Sequence, residues 1–158
     1  MKTIKLEITF KSYTFDELSD GDRSLIARAK EATQGSYSPY SKFAVGAAAL
    51  LENGEVVCGS NQENAAYPSG ICAERTTLFY ANSRYPDSAV MTLAVAACNA
   101  GGFISRPIPP CGGCRQVMSE VEQRYGRPIR ILLYGTEEIY EICGAKSLLP
   151  IQFGQDFL

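Results

Sequence analysis

The sequence predicts an α/β fold: a three-layer α/β/α sandwich around a mixed sheet of about five strands. Three observations point there. Stretches whose apolar residues recur at helical spacing alternate with continuous apolar runs of strand length. An Asn53-Gly54 pair joins two of those runs as a hairpin. The 158 residues contain no internal repeat, low-complexity stretch or linker, so residues 1–158 are expected to form one domain.

Met1 to Phe10 alternates polar residues with Ile4, Leu6, Ile8 and Phe10, the pattern of a half-buried strand, and residues 1–20 stand apart as an N-terminal extension. Ser19 and Asp20 offer caps for a helix whose apolar positions Leu25, Ile26, Ala29 and Ala32 carry it to near Gly35. Ser36 to Ser41, with two tyrosines and Pro39, is a loop. Phe43 to Leu51 and Glu55 to Ser60 are the two antiparallel strands of the hairpin. Cys72 to Asn82 favours a helix, Met91 to Cys98 a buried central strand, and Gly101 to Pro110 a loop. Cys114, Val117, Met118, Val121 and Tyr125 recur at helical spacing until Gly126 and Pro128 stop the pattern. Ile129 to Tyr134 is another buried strand, Ile139 to Cys143 a short last one, and Ala145 to Leu149 a turn or helix closed by Pro150. Parallel neighbours are expected to be joined by helical crossovers.

Composition narrows the function. Charged residues at 20% and hydrophobic ones at 46% give the balance of a globular chain. A net charge of -2 and a pI near 5.2 leave no basic excess for a phosphate backbone, so no nucleic-acid partner is expected. No apolar run reaches the ~18 residues needed to span a bilayer, and the N-terminal alternation is unlike the apolar core of a secretory signal. No membrane partner is expected, and the expected location is cytoplasmic. The six cysteines are then reduced thiols, packed or metal-bound, rather than disulfides. Histidine is absent, so chemistry has to run on carboxylates, thiols, amines, phenols or a metal.

Cys111-Gly112-Gly113-Cys114 places two thiols on the first turn of a helix, within reach of one ion. Alone, such a pair is equally a redox dithiol or two packed thiols. Cys72 opens another helix, so two helix N-termini can converge on one point, and helix N-termini favour thiolates. Three thiolates leave a tetrahedral zinc its fourth position for water, as in an open catalytic site. Cys58, Cys98 and Cys143 end strand-like segments and are expected to be buried rather than to supply a fourth ligand. Glu74 is by itself a first-turn glutamate facing the helix dipole; beside a zinc-bound water it becomes a general acid/base. Three thiolates and Zn²⁺ sum to -1, a charge that Arg75 or Arg115 and the two helix ends must offset, with Arg75 the better candidate.

Cys72-Ala73-Glu74-Arg75 together with Pro110-Cys111-Gly112-Gly113-Cys114-Arg115-Gln116 resembles the paired zinc signature of the homotetrameric, three-cysteine cytidine deaminases. Tyr40 to Ala47, Asn61 to Tyr67 and Leu148-Leu149-Pro150 carry the resemblance from about Ser36 to Phe153. It implies a cytidine deaminase-like fold with one Zn²⁺ per subunit on Cys72, Cys111 and Cys114. Glu74 would move protons among water, the base N3 and the departing amino group while C4 is attacked and ammonia leaves. Asn61 and Glu63 would hydrogen-bond the ribose, Phe43 would wall the pyrimidine, and Ala73 would offer its backbone N–H to the base carbonyl. Tyr67 and Phe153 are similar in position to aromatics that family members lend to a neighbouring subunit, which implies a homotetramer with shared active sites.

The implied reaction is hydrolytic deamination of free cytidine and 2'-deoxycytidine, in pyrimidine salvage. The opening strand and Ala100 to Pro107 match nothing in the pattern. Three other readings stay open. Deamination of another cytosine-containing molecule would use the same zinc motifs, although Asn61 and Glu63 argue against it. A zinc-stabilised interaction module would need a fourth protein ligand. A nucleic-acid editing enzyme would want a basic surplus that this chain lacks.

Overall fold

The computed structural model describes residues 1–158. Its strands are β1 (Lys11–Tyr13), β2 (Ala44–Leu51), β3 (Val56–Ser60), β4 (Val90–Asn99), β5 (Gly102–Phe103), β6 (Arg130–Tyr134) and β7 (Ile139–Cys143). Its helices are α1 (Asp20–Ala32), α2 (Ala73–Arg84) and α3 (Gly112–Tyr125). The strands form one sheet in the order β1-β7-β6-β4-β2-β3, with β5 paired to the end of β4. Only β4 and β6 run parallel, and the crossover between them is α3. The sheet is therefore mixed, as the sequence predicts.

Alternation along the strands sorts side chains onto two faces. Ala47, Ala49, Leu51, Leu93, Val95, Ile131 and Leu133 pack with α2 and α3 through Leu78, Ala81, Met118 and Val121. Their neighbours Ala48, Ala94, Ala96, Leu132 and Tyr134 pack with α1 through Leu25, Ile26 and Ala29. Three layers result. Small residues on the hairpin let the helices approach closely. A Cβ on Gly46 would lie 2.2 Å from the Ala29 carbonyl oxygen of α1, and one on Gly59 would lie 2.7 Å from Thr77 Oγ1 of α2. The approach at Gly59 seats α2 closely on the sheet, and with it Cys72 at the helix start.

Helix ends follow local chemistry. The Ser19 side chain accepts the Asp22 N–H to cap α1, which ends in a 3₁₀ turn over Thr33–Gly35. Gly126 closes α3 at φ 63°, a left-handed conformation that glycine adopts without strain. No helix is long and apolar enough to cross a membrane.

Two expectations need correction. The sheet has seven strands rather than about five, because β1 and β5, of three and two residues, are too short to leave a periodic signal. The strand expected over residues 4–10 does not form; pairing starts only at Lys11. Register accounts for residues 4–8. Lys11 faces Glu141 and Tyr13 faces Ile139, so Thr9 would face Cys143, the last residue of β7. Gly144 at φ 84° then turns the chain away. The alternation is that of a strand, but the neighbouring strand runs out.

Candidate active site

Cys72 and Cys111 are the N-caps of α2 and α3, and Cys114 lies in the first turn of α3. The sheet holds both helices on one face with their N-termini converging, which brings the three Sγ atoms within 4.8 Å of one another. Cys72 Sγ is 3.6 Å from Cys111 Sγ, which is 3.4 Å from Cys114 Sγ. Two thiolates bound tetrahedrally at ~2.3 Å from a zinc ion stand about 3.8 Å apart, so the cluster already sits near ligand spacing.

The charge state of the cluster also fits a divalent cation. A hydrogen bond from Cys114, aided by Arg75 and Cys111, lowers the Cys72 thiol to about 5. That same hydrogen bond, together with burial, pushes the Cys114 thiol up. Cys72 and Cys114 thus share one negative charge between them, and a bound cation would allow both to ionise. Arg75 Nη2 stands 3.8 Å from Cys72 Sγ, while Arg75 Nε is buried without a hydrogen-bond partner. Soft, anionic and three in number, these donors suit zinc with one position left for water.

Arg115 does not share in this. Its Nε donates to the Pro110 carbonyl and its Nη1 to the Leu148 carbonyl, both at 2.8 Å, tying the loop before α3 to the C-terminal segment. Cys58 and Cys98 are half-buried, and Cys143 is exposed, against the expectation of burial, because it ends an edge-proximal strand beside the turn at Gly144. None of the three joins the cluster.

Glu74, the second residue of α2, is only 4% exposed. Burial raises its proton affinity above that of an ordinary carboxyl, and the negative charge of Cys72 adds to this against its own backbone N–H. The preceding Ala73 is fully buried, and its N–H is one of the first-turn donors for which an α-helix supplies no acceptor.

A cavity of about 670 Å³ is lined by Cys72, Ala73, Glu74, Arg75 and Cys111 and also by Asn61, Glu63 and Tyr67. Asn61 is largely engaged already. Its Oδ1 accepts from Ser36 Oγ at 2.6 Å and Val45 N at 2.8 Å, and its Nδ2 donates to the Phe43 carbonyl at 3.0 Å. A primary amide has two acceptor lone pairs and two N–H donors, so one N–H remains for a ligand. Glu63 Oε2 accepts the backbone N–H groups of Tyr40 and Ser41 at 2.9 and 3.3 Å. Hydrogen bonds from Ser41 and Tyr40 hold its carboxyl below the usual range, and Oε1 accepts neither of them.

Three expected residues are not in the cavity lining: Cys114, which is fully buried, and the aromatics Phe43 and Phe153. Phe43 is half-buried just before β2, contributing its carbonyl to Asn61. Phe153 lies on the C-terminal segment, 59% exposed and stacked on Phe157 at 5.8 Å. Tyr67 does line the cavity yet is 77% exposed, its ring edge-on to Tyr40 at 6.1 Å. The sequence reading missed Val45, Ile108 and Pro109, which supply apolar lining. Val45 stood inside a noted motif, whereas Ile108 and Pro109 lie in a loop with no periodic signal.

Residues 19–125 match the family model described as the cytidine and deoxycytidylate deaminase zinc-binding region. A protein of Halalkalibacterium halodurans named cytidine deaminase is 48% identical over 97 residues, covering 61% of this chain and 69% of its own. One of Mycobacterium tuberculosis with the same name is 37% identical over 137 residues, covering 85% of this chain and 90% of its own. The crystal structure of a cytidine deaminase from Burkholderia pseudomallei superposes with a TM-score of 0.70 at 36% identity, covering 86% of this chain and 100% of that one.

Proposed function

The chain belongs to the cytidine and deoxycytidylate deaminase family, and from that premise we propose that it hydrolyses free cytidine, and 2'-deoxycytidine as well, to the corresponding uridine and ammonia. One observation carries the reading: a cluster of three converging thiols, two of which line a cavity together with the buried carboxyl of Glu74, opens onto a space that Asn61 and Glu63 also line.

Zinc held by Cys72, Cys111 and Cys114 supplies the Lewis acidity that makes water nucleophilic near neutral pH. Glu74 takes one proton from the attacking water and delivers it to N3 of the base, then takes the proton of the hydroxyl now on C4 and passes it to the amino nitrogen as the C4–N bond breaks and the C4–O bond becomes a carbonyl. Water is consumed and ammonia released. Ala73 donates its free N–H to the base carbonyl, and Arg75 offsets the negative charge at Cys72. The spare N–H of Asn61 and the free oxygen of Glu63 take sugar hydroxyls; a substrate with one hydroxyl fewer still finds a partner.

Phe43 walls the base, while Tyr67 and Phe153, both exposed on the single chain, complete the cavity of a neighbouring subunit in a homotetramer. An acidic chain with a cavity of nucleoside size favours a small substrate over a polymer, with a place in cytoplasmic pyrimidine salvage. The test follows the ultraviolet absorbance of cytidine incubated with purified protein and with its Glu74→Gln variant. The variant is expected to keep its zinc, measured by atomic emission, and to lose turnover by about 10²- to 10⁴-fold. An undiminished rate would sink the mechanism.

A further inference from the structure

Residues 1–10 belong to no helix or strand, and none of the main-chain hydrogen bonds made outside those elements involves them. They nonetheless keep strict period-two alternation, and its apolar side is open: Ile4 is 75% exposed, Leu6 60%, Ile8 50% and Phe10 50%. The segment emerges from β1 at the edge of the sheet, and the neighbouring strand β7 ends at Cys143, opposite Thr9, so residues 4–8 have no strand beside them. Sequence pattern and backbone donors both call for a partner strand that the chain itself does not provide.

We propose that the partner is the same segment of a second copy, paired antiparallel about a two-fold axis at Leu6. Self-complementarity selects this occupant and this register. With Leu6 facing Leu6, Ile4 faces Ile8 on the apolar side. On the other side Lys5 faces Glu7 and Thr3 faces Thr9, each pair occurring twice by symmetry. Every neighbouring register is worse. An axis at Lys5 opposes two ammonium groups, one at Glu7 opposes two carboxylates, and one at Ile8 sets Lys5 against Lys11. Parallel in-register pairing stacks Lys5 on Lys5 and Glu7 on Glu7. A shift by one residue places apolar side chains against polar ones. A two-stranded ribbon is marginal alone, but here each strand is anchored through β1 and Phe10 packs on Tyr140 at 4.9 Å, so only the arm must be ordered.

The test uses full-length protein carrying photo-reactive benzoylphenylalanine at position 6, prepared in heavy- and light-isotope forms and mixed before irradiation. The expected product is a heavy–light peptide pair joined between position 6 and residues 4–8 of the other chain. Cross-links confined to the same chain, to another surface of the second copy, or to a different protein overturn the proposal. Charge exchange then tests the register. Lys5→Glu and Glu7→Lys each turn two attractive pairs repulsive and shift the balance of paired and free arms by about tenfold, read as cross-link yield. The double exchange restores it. Unchanged yield in the single variants, or no recovery in the double, refutes the Leu6 register; far-ultraviolet circular dichroism checks that each variant is folded.

Discussion

Asn61 offers the sharpest separation of sugar binding from architecture, because three of its four hydrogen-bonding positions serve the fold. Asn61→Ala removes the bonds to Ser36, Val45 and the Phe43 carbonyl. At about 0.5–1.5 kcal/mol each, and with water able to reach some of the freed groups from the cavity, the loss comes to about 2–3 kcal/mol. For a chain of 158 residues that lowers Tm by roughly 5–10 °C. Removing the remaining N–H should raise KM for cytidine at least about fivefold, the worth of one neutral hydrogen bond. Ser36→Ala is the control. It deletes the bonds to Asn61 and Ser38 but leaves the ligand donor, so it should cost about 1–2 kcal/mol with KM nearly unchanged. Differential scanning calorimetry reads the first quantity and steady-state kinetics the second. If Asn61→Ala lowers Tm as expected while KM for cytidine stays put, Asn61 is purely architectural and the sugar assignment is wrong.

Other outcomes follow from the same geometry. Stripping the metal with a chelator should abolish turnover and lower Tm by roughly 10 °C, yet leave the far-ultraviolet spectrum folded, because α2 and α3 also meet through Leu78, Ala81, Met118 and Val121; wholesale unfolding would contradict this. Asp22 takes a bidentate bond from Arg130 at 2.5 and 2.8 Å, and that hydrogen bond holds its carboxyl below the usual range. A depressed folded value means the stabilisation is complete above the ordinary carboxylate range and lost as pH falls through the folded value, so Asp22→Asn should cost about 1 kcal/mol at pH 7 and little in strong acid. Glu122 has the opposite sign: burial raises its carboxyl, so stability falls as pH rises through that raised value. Its Oε1 accepts Ile129 N and Ala145 N at 2.7 and 2.8 Å, so Glu122→Gln, which keeps the acceptor without the charge, should denature no earlier in urea at pH 7, whereas Glu122→Ala should lose about 2 kcal/mol.

The fold was legible wherever a side-chain pattern is enforced by burial on a known face. Met91 to Cys98 reads as a central strand because both of its faces are covered, by Leu93 and Val95 on one side and Ala94 and Ala96 on the other. The hairpin follows from Asn53-Gly54, with Gly54 at φ 85°. What the pattern cannot carry is pairing. Ile4, Leu6, Ile8 and Phe10 alternate as well as any strand in the chain, yet strand formation depends on a neighbour whose length is set elsewhere, by β7 and Gly144. The two-residue β5 is the converse: it pairs with β4 on a hydrogen-bond register, not on any periodicity of its own.

At the site, the spacing of Cys72, Cys111 and Cys114 announced a metal, because two helix N-caps and a first-turn residue can converge only at helix ends. Spacing does not tell how a side chain spends its hydrogen bonds. Arg75 and Arg115 both adjoin thiols in the sequence, but Arg115 is committed to the carbonyls of Pro110 and Leu148, so only Arg75 reaches sulfur. The same distinction governs Asn61 and Glu63, whose places in the cavity wall are set by Ser36, Tyr40, Ser41 and Val45 from the loop before β2 and its first turn of strand. On the proposed reading, substrate contact is then left to one N–H and one carboxylate oxygen. A loop with no periodicity of its own therefore seats the carboxylate of Glu63, so backbone changes at Tyr40 and Ser41 should alter KM before they alter the chemical step.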